Sequence, residues 1–227
     1  MLLAHADDNM VLAQRLGELI SHAPELEIDI AIGNISLDHL GVARALYTYA
    51  GQVEGEGRSE DQLAMFRDER DFTNLLLVEQ PNGDFAHTVV RQFLFDAYQA
   101  ELWSDLARSD DEQLAGIAAR AAKENAYHLR FSAGWLVRLG DGTYESHHRA
   151  QMALDELWQY TAELFEGNDY REAWESTVGS TLSEATLDVP VDPYQRTGGR
   201  SGFHTEHLGL LLAEMQWMQR SYPGLEW

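Results

Sequence analysis

Two long stretches of helical periodicity, separated by a few polar residues, constrain this chain more than any other feature. The turn Pro81-Asn82-Gly83 precedes Asp84, an N-cap for a helix of about 24 residues, and Asp110 or Asp111 starts another that lasts to Gly140. Helices of that length joined by so short a turn run antiparallel. An earlier pair has the same form. A segment from about Asp7 to His22 keeps Leu12, Leu16 and Leu19 on one face, and Ala23-Pro24-Glu25 opens a helix that runs to Gly51. That helix is apolar nearly all round (Ile28, Ile30, Ile32, Ile35, Leu37, Leu40), as expected of a central helix with neighbours on several sides.

The apolar composition agrees, with 30 Leu and 26 Ala against 10 Val and 6 Ile, and only 5 Pro. Helix formers outnumber β-branched residues, so an all-α chain is expected. Shorter helices are expected near residues 61–66, 146–165, 169–186 and 204–220. Long loops fall at about 52–83 and 187–203, the second marked by Pro190, Pro193 and the glycines of Thr197-Gly-Gly-Arg-Ser-Gly202. The expected architecture is a single domain over residues 1–227, a four-helix bundle with accessory helices, of which the ferritin-like arrangement is one common form.

Charge excludes some functions. With 38 acidic and 16 basic residues the net charge is −22, which repels nucleic-acid phosphates and anionic lipid headgroups. Lys123 is the single lysine; the other cations are arginines, suited to bidentate ion pairs. The absence of cysteine removes disulfides, thiolate metal sites and cysteine nucleophiles, and fits a reducing compartment. The opening MLLAHADD has no basic segment followed by an apolar run, and no stretch approaches a membrane span, so a cytoplasmic protein without nucleic-acid or membrane partners is expected.

Polar residues on apolar stripes are the candidates for chemistry, since burying them costs free energy unless a partner or metal satisfies them. On the helix ending at Gly140, the stripe Leu114, Ile117, Ala121, Phe131, Trp135 is interrupted by Glu124 and His128. On the preceding helix Asp96 interrupts Val89, Phe93, Ala100, Trp103, and on the second helix Asn34 and Asp38 lie one turn apart. A dinuclear carboxylate centre in a bundle needs a Glu-x-x-His pair on each of two helices. Acid-x-x-His occurs only at Asp84-Phe-Ala-His87 and Glu145-Ser-His-His148, and neither is expected mid-helix. A buried hydrogen-bonded network of Asp38, Asp96, Glu124 and His128 is therefore the plainer reading; the alternative makes those four the atypical ligands of an autonomous di-iron oxygenase. A stand-alone helical binding protein is a third class.

The segment Arg196-Thr-Gly-Gly-Arg200-Ser-Gly-Phe-His204-Thr-Glu-His207 makes Arg196 and Arg200 candidate phosphate or partner contacts, although glycines in such a loop mostly serve turn geometry. His204 and His207 lack a matched third or fourth ligand for a metal. No serine sits in a nucleophile elbow.

Several strings carry a resemblance: Arg15-Leu-Gly-Glu18, His22-Ala-Pro-Glu-Leu-Glu-Ile-Asp29, Arg67-Asp-Glu-Arg70, Asn74-Leu-Leu-Leu-Val-Glu-Gln-Pro-Asn-Gly83, Tyr127-His-Leu-Arg-Phe131, Arg196-Thr-Gly-Gly199 and His204-Thr-Glu-His-Leu208. Over nearly its whole length the chain resembles the C subunits of bacterial ring-1,2-phenylacetyl-CoA epoxidases. The resemblance implies a ferritin-like fold and a place in a multicomponent monooxygenase of aerobic phenylacetate breakdown. It also implies partners: a homologous A subunit holding the di-iron site and the acyl-CoA, a small B subunit, and a reductase drawing electrons from NADPH. The C subunit in this picture supports the A subunit, with no cofactor and no catalytic residue of its own.

Overall fold

The computed structural model describes residues 1–191 and 194–224, which contain nine α-helices and no strand. The helices are α1 (Leu2–Gly17), α2 (Leu26–Glu54), α3 (Glu60–Met65), α4 (Phe85–Leu106), α5 (Glu112–Gly140), α6 (Tyr144–Leu157), α7 (Arg171–Glu184), α8 (Glu206–Met215) and α9 (Trp217–Ser221). Of the residues marking the late loop, Pro193 lies outside the described residues. Among the described residues no helix is long and apolar enough to cross a membrane. The chain forms two compact units, Met1–Pro81 with the segment from Gly198 on, and Asn82–Thr197.

The second unit follows its sequence signals closely. Asp84 caps α4 by accepting from the backbone N–H of His87 at 2.9 Å, and Asp111 caps α5 by accepting from Gln113 and Leu114. Packed against each other, α4 and α5 bury Val89, Val90, Phe93, Leu94 and Ala97 with Leu114, Ala118, Ala121 and Leu136. α6 and α7 close the unit, and the buried Trp174 of α7 donates its indole N–H to the Leu94 carbonyl at 2.9 Å.

In the first unit α1 lies antiparallel to α2 across a short connection, and here the reading from sequence shifts. The helix begins at Leu2, not Asp7, and ends at Gly17. Asp7, Asp8 and Asn9, at the expected start of the helix, sit inside it, and every residue from His5 to Ala13 is buried. What they face explains this. Residues 74–80 and Phe72 are buried although they form turns, not a helix or strand, so their backbone groups need partners from elsewhere. Asp7 Oδ2 accepts from the Thr73 N–H at 2.9 Å, and Asp8 Oδ1 from the Leu75 N–H at 2.7 Å. Arg15 donates to the Glu79 carbonyl through Nε and NH2 at 3.1 and 2.8 Å. The stretch that is least regular in sequence is thus among the most enclosed in the fold.

Each buried aspartate of α1 has an arginine. Arg67 ion-pairs with Asp7, donates to the Asp71 carbonyl at 2.8 Å, and stacks 4.3 Å from the centre of the Phe72 ring; Tyr47 of α2 donates to Asp7 Oδ1 at 2.6 Å. The pair is enclosed, so losing one member strands a buried charge, at a cost of about 3–5 kcal/mol. Arg67→Met is expected to lower the unfolding free energy by about that amount. Adding Asp7→Asn should recover part of the loss, because the stranded charge goes with it; urea denaturation of the single and double variants measures both.

Candidate functional site

In the second unit the polar residues of α4 and α5 converge on Asp96. Asp96 is wholly buried; its Oδ1 accepts from Gln92 Nε2 at 2.7 Å and its Oδ2 from Ser132 Oγ at 2.7 Å, while Asn125 Nδ2 donates to the Asp96 carbonyl at 3.0 Å. His128 is buried between Asn125 and Ser132 on the same face of α5. The inward stripe of α5 therefore runs Leu114, Ala118, Ala121, Asn125, His128, Ser132, Leu136.

Of the residues read from sequence, Asp96 and His128 are on the buried stripes and Glu124 is not. It lies beside the inward face, half-buried; one oxygen accepts from Arg120 Nε at 2.9 Å, and the other, Oε2, is buried with no hydrogen-bond partner among the described residues. Phe131 and Trp135 are likewise half-buried at the flank, Trp135 meeting Phe85 edge-on at 5.4 Å. The large aromatics pulled the expected register towards themselves, whereas the real contact with α4 is made by small residues that allow close approach. Asn125 and Ser132 were missed for that reason; their spacing of three and four residues from His128 was the available signal.

Asp38 also leaves the interior. α2 buries Ile28, Ile32, Ile35, Ser36, His39, Val42, Ala43 and Leu46, which leaves Asn34 exposed and Asp38 half-buried at the surface of the first unit. The buried polar groups of α2 are instead Ser36, donating to the Ala13 carbonyl at 2.8 Å, and His39, whose Nδ1 donates to Asn9 Oδ1 at 2.8 Å. A helix apolar on nearly every side gives no unique face to read, and only packing against α1 picks one.

The glycine-rich segment shapes a turn. Gly198 and Gly202 have φ of 132° and 76°, and a Cβ on Gly202 would stand 2.4 Å from the Arg70 carbonyl oxygen. The turn delivers two side chains into the first unit. Arg200 grips Asp8 through both terminal nitrogens, at 3.0 and 2.7 Å, and donates to the Ala4 and Thr73 carbonyls. Burial alone would push the Asp8 carboxyl up; Arg200 outweighs burial and holds it below the ordinary carboxylate range. Arg196, in the second unit, stands 5.9 Å from the centre of the Tyr194 ring.

His204 ends the same segment with its ring buried between two acceptors, Glu79 Oε2 at Nδ1 and the Phe72 carbonyl at Nε2, each at 2.9 Å. Glu79 also accepts from Asn74 Nδ2 at 2.8 Å and from the Thr205 N–H at 2.6 Å. Burial pulls the imidazole pKa down, but the bonds to Glu79 and Phe72 raise it above the ordinary histidine value. Each ring nitrogen thus faces an acceptor, the geometry a doubly protonated ring requires.

Compared with known proteins, the chain matches across residues 1–227 a family described as phenylacetic acid catabolic protein. It belongs to that family. It is also 52% identical over 237 residues, covering 97% of this chain and 95% of the relative, to the C subunit of the 1,2-phenylacetyl-CoA epoxidase of Escherichia coli (strain K12). The fold of this member of the phenylacetic acid catabolic family is all-α and ferritin-like.

Ferritin-like relatives of many kinds hold two metal ions among four carboxylates and two histidines supplied by Glu and Glu-x-x-His positions. The inward stripes of α4 and α5 do not fit that set. Around Asp96 they offer one carboxyl, the His128 imidazole, the three amides of Gln92, Gln99 and Asn125 and the Ser132 hydroxyl, and burial pushes the carboxyl of Asp96 up to about 8. Within these helices both Asp96 oxygens are bonded, whereas Asn125 Oδ1 and Glu124 Oε2 are buried with no hydrogen-bond partner among the described residues.

Two pH responses follow, of opposite chemistry and the same sign. Asp96 has a folded pKa raised above its unfolded value, so folding favours its protonated form and this contribution is lost as pH rises from about 4 to about 8. Asp96→Asn is expected to be more stable than the parent at pH 8.5, by on the order of 1–3 kcal/mol, with the difference gone at pH 4, where both side chains are neutral. His204, also raised, contributes fully below about pH 6.5 and less as pH climbs through its folded value. Nitrogen-15 spectra of the ring at pH 7 should show both nitrogens protonated; a neutral tautomer would contradict the double-acceptor geometry.

Proposed function

We propose that this chain is a structural and assembly subunit of a phenylacetyl-CoA epoxidase complex in aerobic phenylacetate catabolism, without a catalytic centre of its own. It pairs with a homologous A subunit that carries the di-iron site and binds the acyl-CoA, in a cytoplasmic assembly that includes a small B subunit and an NADPH-dependent reductase. Identity of 52% to a relative named as the C subunit of such an epoxidase, spread over 97% of the chain, supports the membership.

The observation that carries the non-catalytic role is the chemistry around Asp96. Its carboxyl is held by the Gln92 amide and the Ser132 hydroxyl, with Asn125 and His128 alongside, and Glu124 pairs with Arg120 through one oxygen. Arg200 and Arg67, cations brought deep into the first unit, are spent on Asp8 and Asp7. Such interiors make a rigid helical body, which suits a partner whose own site needs a stable flank.

Metal content tests the reading. The chain purified alone from iron-supplemented cells is expected to carry only trace iron, while the complex formed on co-expression with an A-type partner holds iron and epoxidises phenylacetyl-CoA. Two equivalents of iron in the isolated chain, with oxygen-consuming activity, would replace the proposal with an autonomous di-iron oxygenase.

A further inference from the structure

We propose that the outer face of α2 is a self-complementary seam on which a second copy of this chain docks antiparallel. The inference is independent of the epoxidase reading and rests on the first unit alone. Leu26, Ile30, Gly33, Leu37, Leu40 and Arg44 recur at alternating spacings of four and three residues, the pattern of a helix–helix seam. They lie opposite the stripe through Ile28, Ile32, Ile35 and Leu46 that packs inside the unit. The aliphatic members face solvent: Leu26 is 70% exposed, Ile30 56%, Leu37 64% and Leu40 37%. A solvated face in a chain with 38 acidic residues would ordinarily be charged, so four large aliphatics in register on it mark a contact surface.

The occupant follows from the order of side chains. Reversing the helix about a two-fold axis beside Ile35 sets Leu37 of one copy over Gly33 of the other, twice, and Ile30 opposite Leu40, while Leu26 lies along the stem of Arg44. Nothing within the chain demands the glycine, because a Cβ on Gly33 meets no atom within 4 Å and its backbone is helical. Glycine is a poor helix former, and the hole it leaves is the size that Leu37 from across the axis would fill. Charge sets the direction. The first turn carries Glu27 and Asp29 beside Glu25, and Arg44, which also pairs with Glu60 at 2.6 Å, stands at the other end of the seam. Antiparallel docking brings Arg44 to the acidic end of the mate, whereas parallel docking would place the acidic turns together.

Sedimentation velocity of the full chain over a concentration series is the test. A monomer–dimer equilibrium is expected that tightens as salt screens the repulsion between two copies of charge −22. Leu37→Glu and Gly33→Leu should each weaken the dimer at least tenfold, with helicity unchanged by circular dichroism. Gly33→Ala should raise the melting temperature while weakening the dimer. Because the chain has no cysteine, mixing Gly33→Cys with Leu37→Cys protein should give a disulfide-linked pair faster than either variant alone, which reports the antiparallel register directly. A monomer up to millimolar concentration, a dimer indifferent to Leu37→Glu, an open polymer, or a seam that binds only a different protein would each overturn the proposal.

Discussion

A buried run of backbone without regular structure must find its hydrogen bonds somewhere, and the first unit is organised around meeting that demand. Phe72 and residues 74–80 are enclosed, and their peptide groups are served by side chains from distant parts of the sequence. Asp7 and Asp8 accept from Thr73 and Leu75, Arg15 donates to Glu79, Arg200 to Thr73 and His204 to Phe72. An unpaired buried peptide group costs about 1–3 kcal/mol, so this set of contacts weighs heavily against a total stability of about 5–15 kcal/mol. The carboxylates that meet the peptide groups are themselves buried, and Arg67 and Arg200 are their counter-charges.

The second unit solves a smaller version of the same problem in the opposite way. Asp96 forms no ion pair with an arginine or lysine among the described residues; it is stabilised in its neutral form by burial, which raises its pKa to about 8, while Gln92 and Ser132 satisfy its oxygens. One interior pairs its carboxylates with arginines, and the other buries its carboxyl among the Gln92 amide, the Ser132 hydroxyl and the His128 ring. Within the second unit the inward stripes of α4 and α5 supply one carboxyl where a dinuclear carboxylate centre uses four.

The contrast between the two faces of α2 shows what an apolar helix does when only part of it is covered. Its inner stripe builds the core of the first unit, and its outer stripe of Leu26, Ile30, Leu37 and Leu40 stays in water. The near-continuous apolar sequence that suggested a central helix thus has two uses: one face folds the chain and the other is available for association.

The sequence by itself determined the helical class, the caps Asp84 and Asp111, the stop at Gly140 and the absence of Glu-x-x-His pairs mid-helix, because these depend on neighbours within a few residues. It also placed Asp96 and His128 on buried stripes, each with apolar residues one turn away. Tertiary structure alone decided that Asp7, Asp8 and Asn9 lie inside a helix, that Asn125 and His39 are fully buried while Glu124 and Asp38 are only half-buried, and that Arg200 and His204 return to serve residues far earlier in the chain. A one-residue shift of a helical stripe rotates a side chain by about 100°, and on a helix that is apolar or small-residue nearly all round only the packed neighbour breaks the tie. The long-range ion pairs leave no local trace either, since a carboxylate reads as an N-cap until its arginine, far away in sequence, is seen beside it.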